Sequence, residues 1–142
     1  MAITVNSKKK QVKKTFQELI NDLMSSSSEK VRYNAARVLG EMGDSKAVEP
    51  LIDVLKNDKN GSVRLYAARA LGELGDTKAT EHLIESLRED RNVDVRVRAA
   101  RALGRLGGKI VVEPLVEALN DENSQVCITA TEALIEIGDV AT

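Results

Sequence analysis

Three columns of charged residues recur along this 142-residue chain at a spacing of 32 residues. Arg32, Arg64 and Arg96 form the first, and Arg37, Arg69 and Arg101 the second. The carboxylate pairs Glu49/Asp53, Glu81/Glu85 and Glu113/Glu117 form the third. A guanidinium presents a planar fork of donors that suits carboxylate and phosphate alike. The arginine columns therefore admit two chemistries, an internal ladder of ion pairs or a basic track for phosphates. Loop aspartates favour the ladder, because Asp58 precedes Arg64 by six residues and Asp90 precedes Arg96 by six. A regular ladder is common wherever units stack identically, so Arg32, Arg64, Arg96, Asp58 and Asp90 are assigned to a structural ladder. Arg64 is expected to pair with Asp58 or Asp90, and Arg96 to repeat the arrangement. In the second column Glu41 and Glu73 follow Arg37 and Arg69 by four residues, a spacing that partly neutralises it. No aromatic residues are interleaved to stack on bases.

The carboxylate column is the stronger functional signal. At i and i+4 each pair shares one helical face, and six like charges in three tiers would steer a basic segment of a partner. Glu49, Asp53, Glu81, Glu85, Glu113 and Glu117 are thus the candidate protein-binding face, expected to be exposed and contiguous. Other chemistry is sparse. His82 is the only histidine and Cys127 the only cysteine, which excludes an intrachain disulfide framework and a thiolate zinc site. No glycine-rich phosphate loop or nucleophile elbow occurs. No catalytic, cofactor-binding or metal-ligating residue is assigned, and no cofactor is expected.

The columns belong to a repeat. Val31 to Asp44 returns as Val63 to Asp76 and again from Val95 to Gly107, with a decayed copy from Val126 to Asp139. Such self-similarity marks a stack of supersecondary units, each burying its apolar face on its neighbours. Val31, Ala35, Val38, Leu39 and Met42 fall on one face of a helix, here called helix A, and later copies repeat the pattern. Ser28, Asn60, Asn92 and Asn123 precede each leading valine by three residues as N-caps. Ser26 and Glu29 offer an alternative register for the first. Gly43, Gly75, Gly107 and Gly138 stand where a left-handed residue would end each helix. A second stripe, Ala47, Val48, Leu51, Ile52 and Leu55 with its counterparts, marks helix B. Pro50 and Pro114 put its regular start no earlier than about Ala47 and Val111. Asp44 and Asp76 would cap the preceding turn, whereas Gly108 cannot.

Apolar residues make up 42% of the chain and charged residues 30%, with a net charge of −1, which fits a folded protein rather than a disordered chain or a bulk polyanion binder. No apolar run approaches the roughly 18 residues of a membrane span, and Met1 to Ser7 lacks a signal-peptide core. A reduced, cytoplasmic protein away from membranes is the expectation.

Over residues 31–55 the pattern V-R-x-x-A-A-R-x-L-G-x-x-G-D-x-x-A-V-E-P-L-I-x-x-L resembles the short HEAT-like repeat of the phycobilisome-lyase type. The resemblance covers about residues 28–142. It implies an all-α fold, a right-handed α-α superhelix (α-solenoid) of helical hairpins with helix B on the concave side. The implied function is a non-catalytic scaffold or adaptor that binds another protein through its acidic helix-B face. A lyase-like or chaperone-like subunit of a chromophore or cofactor attachment pathway is the alternative, the one way an enzymatic role enters. Nucleic-acid binding through the N-terminal lysines and the arginine columns is a second. Related di-iron hydroxylases hold metal with His-Glu pairs in several repeats, whereas here His82 is followed by Leu83 and stands alone.

The units are drawn as a flexible N-terminus over 1–7, a capping helix and serine linker over 8–27, and repeats over 28–59, 60–91 and 92–122. A half repeat over 123–142 completes them as a single solenoid domain. Lys8, Lys9, Lys10, Lys13 and Lys14 lead into the capping helix. At the other end helix A lacks a following helix B. Val126, Ala130, Ala133, Leu134 and Ile137 would then be left open, with Ile128 and Ile135 beside them, so a homodimer of like ends is expected there.

Overall fold

The computed structural model describes residues 2–6 and 11–141, with side chains described over 14–138. Among these residues eight α-helices follow a short β-hairpin: β1 (Ala2–Asn6), β2 (Gln11–Thr15), α1 (Phe16–Ser25), α2 (Glu29–Met42), α3 (Val48–Asn57), α4 (Gly61–Leu74), α5 (Thr80–Glu89), α6 (Val93–Leu106), α7 (Val112–Ala118) and α8 (Ser124–Ala141). The even-numbered helices are the A helices and the odd-numbered ones the B helices. They form two layers, α2-α4-α6-α8 against α1-α3-α5-α7. The fold is an α-solenoid. No described helix is long and apolar enough to cross a membrane.

The expected caps form. Ser28, Asn60 and Asn92 accept from the amides of Val31, Val63 and Val95, and Asn123 accepts from Gln125 and Val126. Gly43, Gly75 and Gly107 adopt positive φ of 75°, 68° and 67°, which glycine alone takes without strain. Asp44 and Asp76 then cap one-turn 3-10 segments that lead into α3 and α5, and Gly108 offers no side-chain cap. Gly138 departs from expectation. It has no positive φ, and α8 runs on to Ala141.

The N-terminus is a correction. A helix was expected from residue 8, yet residues 11–15 pair antiparallel with 2–6, and α1 starts only at Phe16. The expected flexible segment over 1–7 thus holds β1 within it. Thr15 and Glu18 form a reciprocal capping box, at 3.1 and 2.9 Å, that fixes this start. The backbone amide of Thr15, then its hydroxyl, holds the Glu18 carboxyl below its ordinary pKa. Lys8, Lys9 and Lys10 lie outside the described residues, and Lys14 pairs with Asp22.

The packing frame also differs from the sequence frame. Each helix B packs along the helix A that follows it: α1 on α2, α3 on α4, α5 on α6 and α7 on α8. The connections explain why, since only three residues join α3 to α4 or α5 to α6, and short links make antiparallel neighbours. The glycine turn and 3-10 segment between A and B set those two helices apart. The eight helices are therefore four whole hairpins. The apolar stripe of α8 accordingly lies on α7 and α6, with Val126, Ala130 and Ala133 at 0, 0 and 3% exposure. That overturns the expectation that these residues are left open. The apolar surface at this end comes from Val112 and Val116 of α7, Leu119 just after it, and Ile128 and Ile135 of α8 instead, all at least 40% exposed.

Close contact within the A layer depends on small residues. A Cβ at Gly72 would lie 3.0 Å from Ala102 Cβ, and one at Gly104 only 2.8 Å from Ala133 Cβ. Tyr33 and Tyr66 stack across α2 and α4 with ring centroids 5.2 Å apart.

Candidate protein-binding surface

The first arginine column ties each hairpin to the next. Arg64 Nε donates to Asp90 Oδ2 at 2.8 Å and its second amino group to Oδ1 at 3.1 Å, while the third nitrogen donates to the carbonyl of Asp58 at 2.8 Å. Arg32 grips Asp58 and the Ser26 carbonyl in the same way. Arg96 grips the Asp90 carbonyl and Asp121. Each guanidinium thus closes its own hairpin loop through a carbonyl and holds the next loop through a bidentate carboxylate. Both partners are mostly shielded, at 9–14% side-chain exposure. Asp58, Asp90 and Asp121 also accept from the amides of Asn60, Asn92 and Asn123, which presents the carboxylates rigidly.

Asp121 is a partner the sequence reading missed. Its signal was present, because Asp121 precedes Cys127 by six residues, as Asp90 precedes Arg96. Cys127 holds the arginine position of the last hairpin and donates to the Asp121 carbonyl at 3.1 Å. At the other end Ser26 takes the aspartate position and accepts from the Ser28 amide. Neither end of the ladder carries an unpaired charge.

The second column is neutralised in two hairpins. Arg37 meets Glu41 at 3.2 Å and Arg69 meets Glu73 at 3.8 Å. A continuous phosphate track is not built, since the first column is spent on the ladder and the second on these glutamates as far as Arg101.

The carboxylate column lies on α3, α5 and α7, and all six members are exposed. Glu81, Glu85 and Glu113 come together with Glu89 along a groove of about 460 Å³ between α5 and α7, which Ile84, Ile110 and Pro114 also line and into which Arg88, paired with Glu117, brings one cation. Glu49 and Asp53 occupy the same face of α3, where Asp53 accepts from Asn57 at 2.7 Å. Glu117 is the exception. It forms a bidentate pair with Arg88 at 2.9 and 3.3 Å, and that bond raises the Arg88 pKa. Glu49, Glu81, Glu85 and Glu113 have no hydrogen-bond or ion-pair partner among the described residues. With an apolar strip below and carboxylates beside it, the groove can receive an extended or helical segment carrying lysine or arginine. His82 sits at the proline position of α5, half-buried, and its carbonyl accepts from Ser86. No cluster of three metal-ligating side chains occurs among the described residues.

Known structures share this architecture. Human deoxyhypusine hydroxylase, in complex with glycerol, superposes with a TM-score of 0.76 at 24% identity, over 88% of this chain and 44% of that one. The chain therefore spans less than half of the hydroxylase. The complex of CpcE and CpcF of phycocyanin lyase from Nostoc sp. PCC7120 gives a TM-score of 0.65 at 23% identity, over 94% and 69% of the respective chains. An engineered protein gives 0.69 at 25% identity, over 86% and 62%. None of the curated proteins matches the sequence. The profile of the family described as HEAT repeats matches residues 16–93 and 80–142, nearly the whole described solenoid, and the chain belongs to that family.

Proposed function

We propose that the chain is a non-catalytic scaffold that binds another protein, one with a basic segment, through the acidic face of α3, α5 and α7. The groove between α5 and α7 carries this reading, because its four carboxylates outnumber its one cation, Arg88, which is itself paired with Glu117, and exposed apolar surface lies beside them at Ile110. The ladder supports it by holding successive hairpins in one spacing, so that the carboxylate tiers keep register. The test is capture of partners from the native host by the parent chain and by E81K/E85K/E113K. These three positions are exposed, but Glu81 and Glu113 stand in the first turns of α5 and α7, so charge reversal is expected to lower the melting temperature by a few degrees while leaving the chain folded at the capture temperature. A specific partner retained by the parent chain should be reduced at least about tenfold with the variant, a loss near 1.4 kcal/mol of binding. Equal retention by both would contradict the assignment.

A chromophore-lyase subunit is the alternative. The lyase structure is itself a complex of two proteins, so a chain in that role would also work by binding a protein, and co-purification of a second HEAT-repeat chain would favour it. The same reading assigns the C-terminal end to a two-fold contact between copies, now built on Val116, Leu119, Ile128 and Ile135. In sedimentation at micromolar concentration a dimer is expected for the parent chain and a monomer for I135E. A monomeric parent chain would contradict the contact.

A further inference from the structure

The A layer carries a charge cluster on the other side of the molecule from the acidic face. Arg69 of α4 and Arg98, Arg101 and Arg105 of α6 line one cavity of about 150 Å³, together with Glu73 and the close Gly72–Ala102 contact. Its origin is a local departure from the repeat. Helix A of the first two hairpins follows its arginine with a glutamate four residues on, whereas the third places Arg105 there. The position held by Asn34 and Tyr66 becomes Arg98.

Arg98, Arg101 and Arg105 consequently have no ion-pair partner among the described residues. Four guanidiniums face one carboxylate. Burial, then the charges of Arg101 and Arg69, pull the Arg98 pKa below the ordinary arginine value. Such a cluster costs energy while empty and gains it when an anion enters. The patch is also bounded. Arg37 is paired with Glu41 on one side, and on α8 Glu132 and Glu136 hold the positions of Arg101 and Arg105. A local, half-open concentration of forked donors suits one compact dianion rather than a long polyanion, which needs a continuous track.

We propose that this cavity binds a phosphate-monoester group, carried on a phosphorylated protein side chain or on a small phosphorylated molecule. The site lies apart from the acidic face and does not depend on that assignment. The informative variant is R98N/R105E, which gives α6 the residues that α2 carries at the same positions, Asn34 and Glu41, and so keeps a pattern the fold already accepts. R101Q serves as a second, milder variant.

Fluorescence anisotropy with a labelled phosphoserine peptide and its unphosphorylated twin reads the first source. The parent chain is expected to bind the phosphopeptide about tenfold tighter, R101Q to reduce that preference, and R98N/R105E to abolish it. Thermal unfolding in sodium phosphate against sodium chloride at equal ionic strength reads the second source. Phosphate should raise the melting temperature of the parent chain more than that of R98N/R105E, whereas general exclusion of phosphate from protein surfaces would raise both equally. A phosphate-specific shift without phosphopeptide preference assigns the site to a small molecule. Equal behaviour of parent and variant in both measurements would overturn the proposal. So would a short single-stranded RNA that binds more tightly than the phosphopeptide and is lost in R98N/R105E.

Discussion

Arg64→Ala is expected to lower the unfolding free energy by about 3 kcal/mol, at the lower end of what breaking a buried ion pair costs. Two features set that size. The Arg64–Asp90 pair is about nine-tenths shielded from water on both sides, so Asp90 would be left inside without its counter-ion. The same side chain also satisfies the carbonyl of Asp58, and both loops lose their tie at once. For a chain of this length the melting temperature should fall by about 10 °C. Arg88→Ala provides the contrast, because its pair with Glu117 is roughly half exposed on both sides. Its loss should leave the melting temperature close to that of the parent chain. Circular-dichroism melts of both variants check the pair of values. An Arg64→Ala melt indistinguishable from the parent would show that the ladder is not what holds the hairpins in register.

Gly104→Leu should destabilise by a similar amount, about 3 kcal/mol, the upper range for overpacking a tight interior. A Cβ at Gly104 already lies 2.8 Å from Ala133 Cβ and 3.0 Å from Ala133 Cα, and the second of these is backbone that cannot rotate away. A leucine would force α8 off α6 and open the contact that covers Ala130 and Ala133. Gly138→Ala should act in the opposite direction. Gly138 is helical, with nothing within 4 Å of an added Cβ, so the alanine should stabilise by about 0.5 kcal/mol through helix preference alone. Urea unfolding of the two variants gives both signs. A neutral Gly104→Leu would mean that the A layer tolerates separation.

The difference between these glycines was not legible in the sequence, where all of them read as punctuation. Periodicity reports which face of a helix is apolar, and caps report where it begins, so the helices, their N-caps and the Arg and Asp columns could be read directly. Periodicity does not report which neighbour a face meets. Helix A was paired with the helix B after it because the repeat begins at helix A, whereas the three-residue loops fold helix B onto the following helix A. Loop length held that information. The β-hairpin was hidden because Val12 and Phe16 fall at helical spacing with Leu19, although Thr15 and Glu18 spell a capping box that starts the helix later. Asp121 was overlooked because its partner position holds Cys127 rather than arginine. Arg98 and Arg105 do not show in the repeat pattern, because they differ from their counterparts Asn34, Tyr66, Glu41 and Glu73. In a repeat protein the structural residues recur, and a site is sought where recurrence breaks.

The layer formed by α3, α5 and α7 is the surface proposed to recognise the partner. Amide chemical-shift mapping of the isotope-labelled chain, titrated with the partner captured from the native host, tests it most directly. The shifted resonances are expected to cluster around Glu49, Asp53, Glu81, Glu85 and Glu113 and along the groove at Ile110, and added salt to weaken the complex. Shifts confined to α2, α4, α6 and α8, with the groove resonances unmoved, would contradict it.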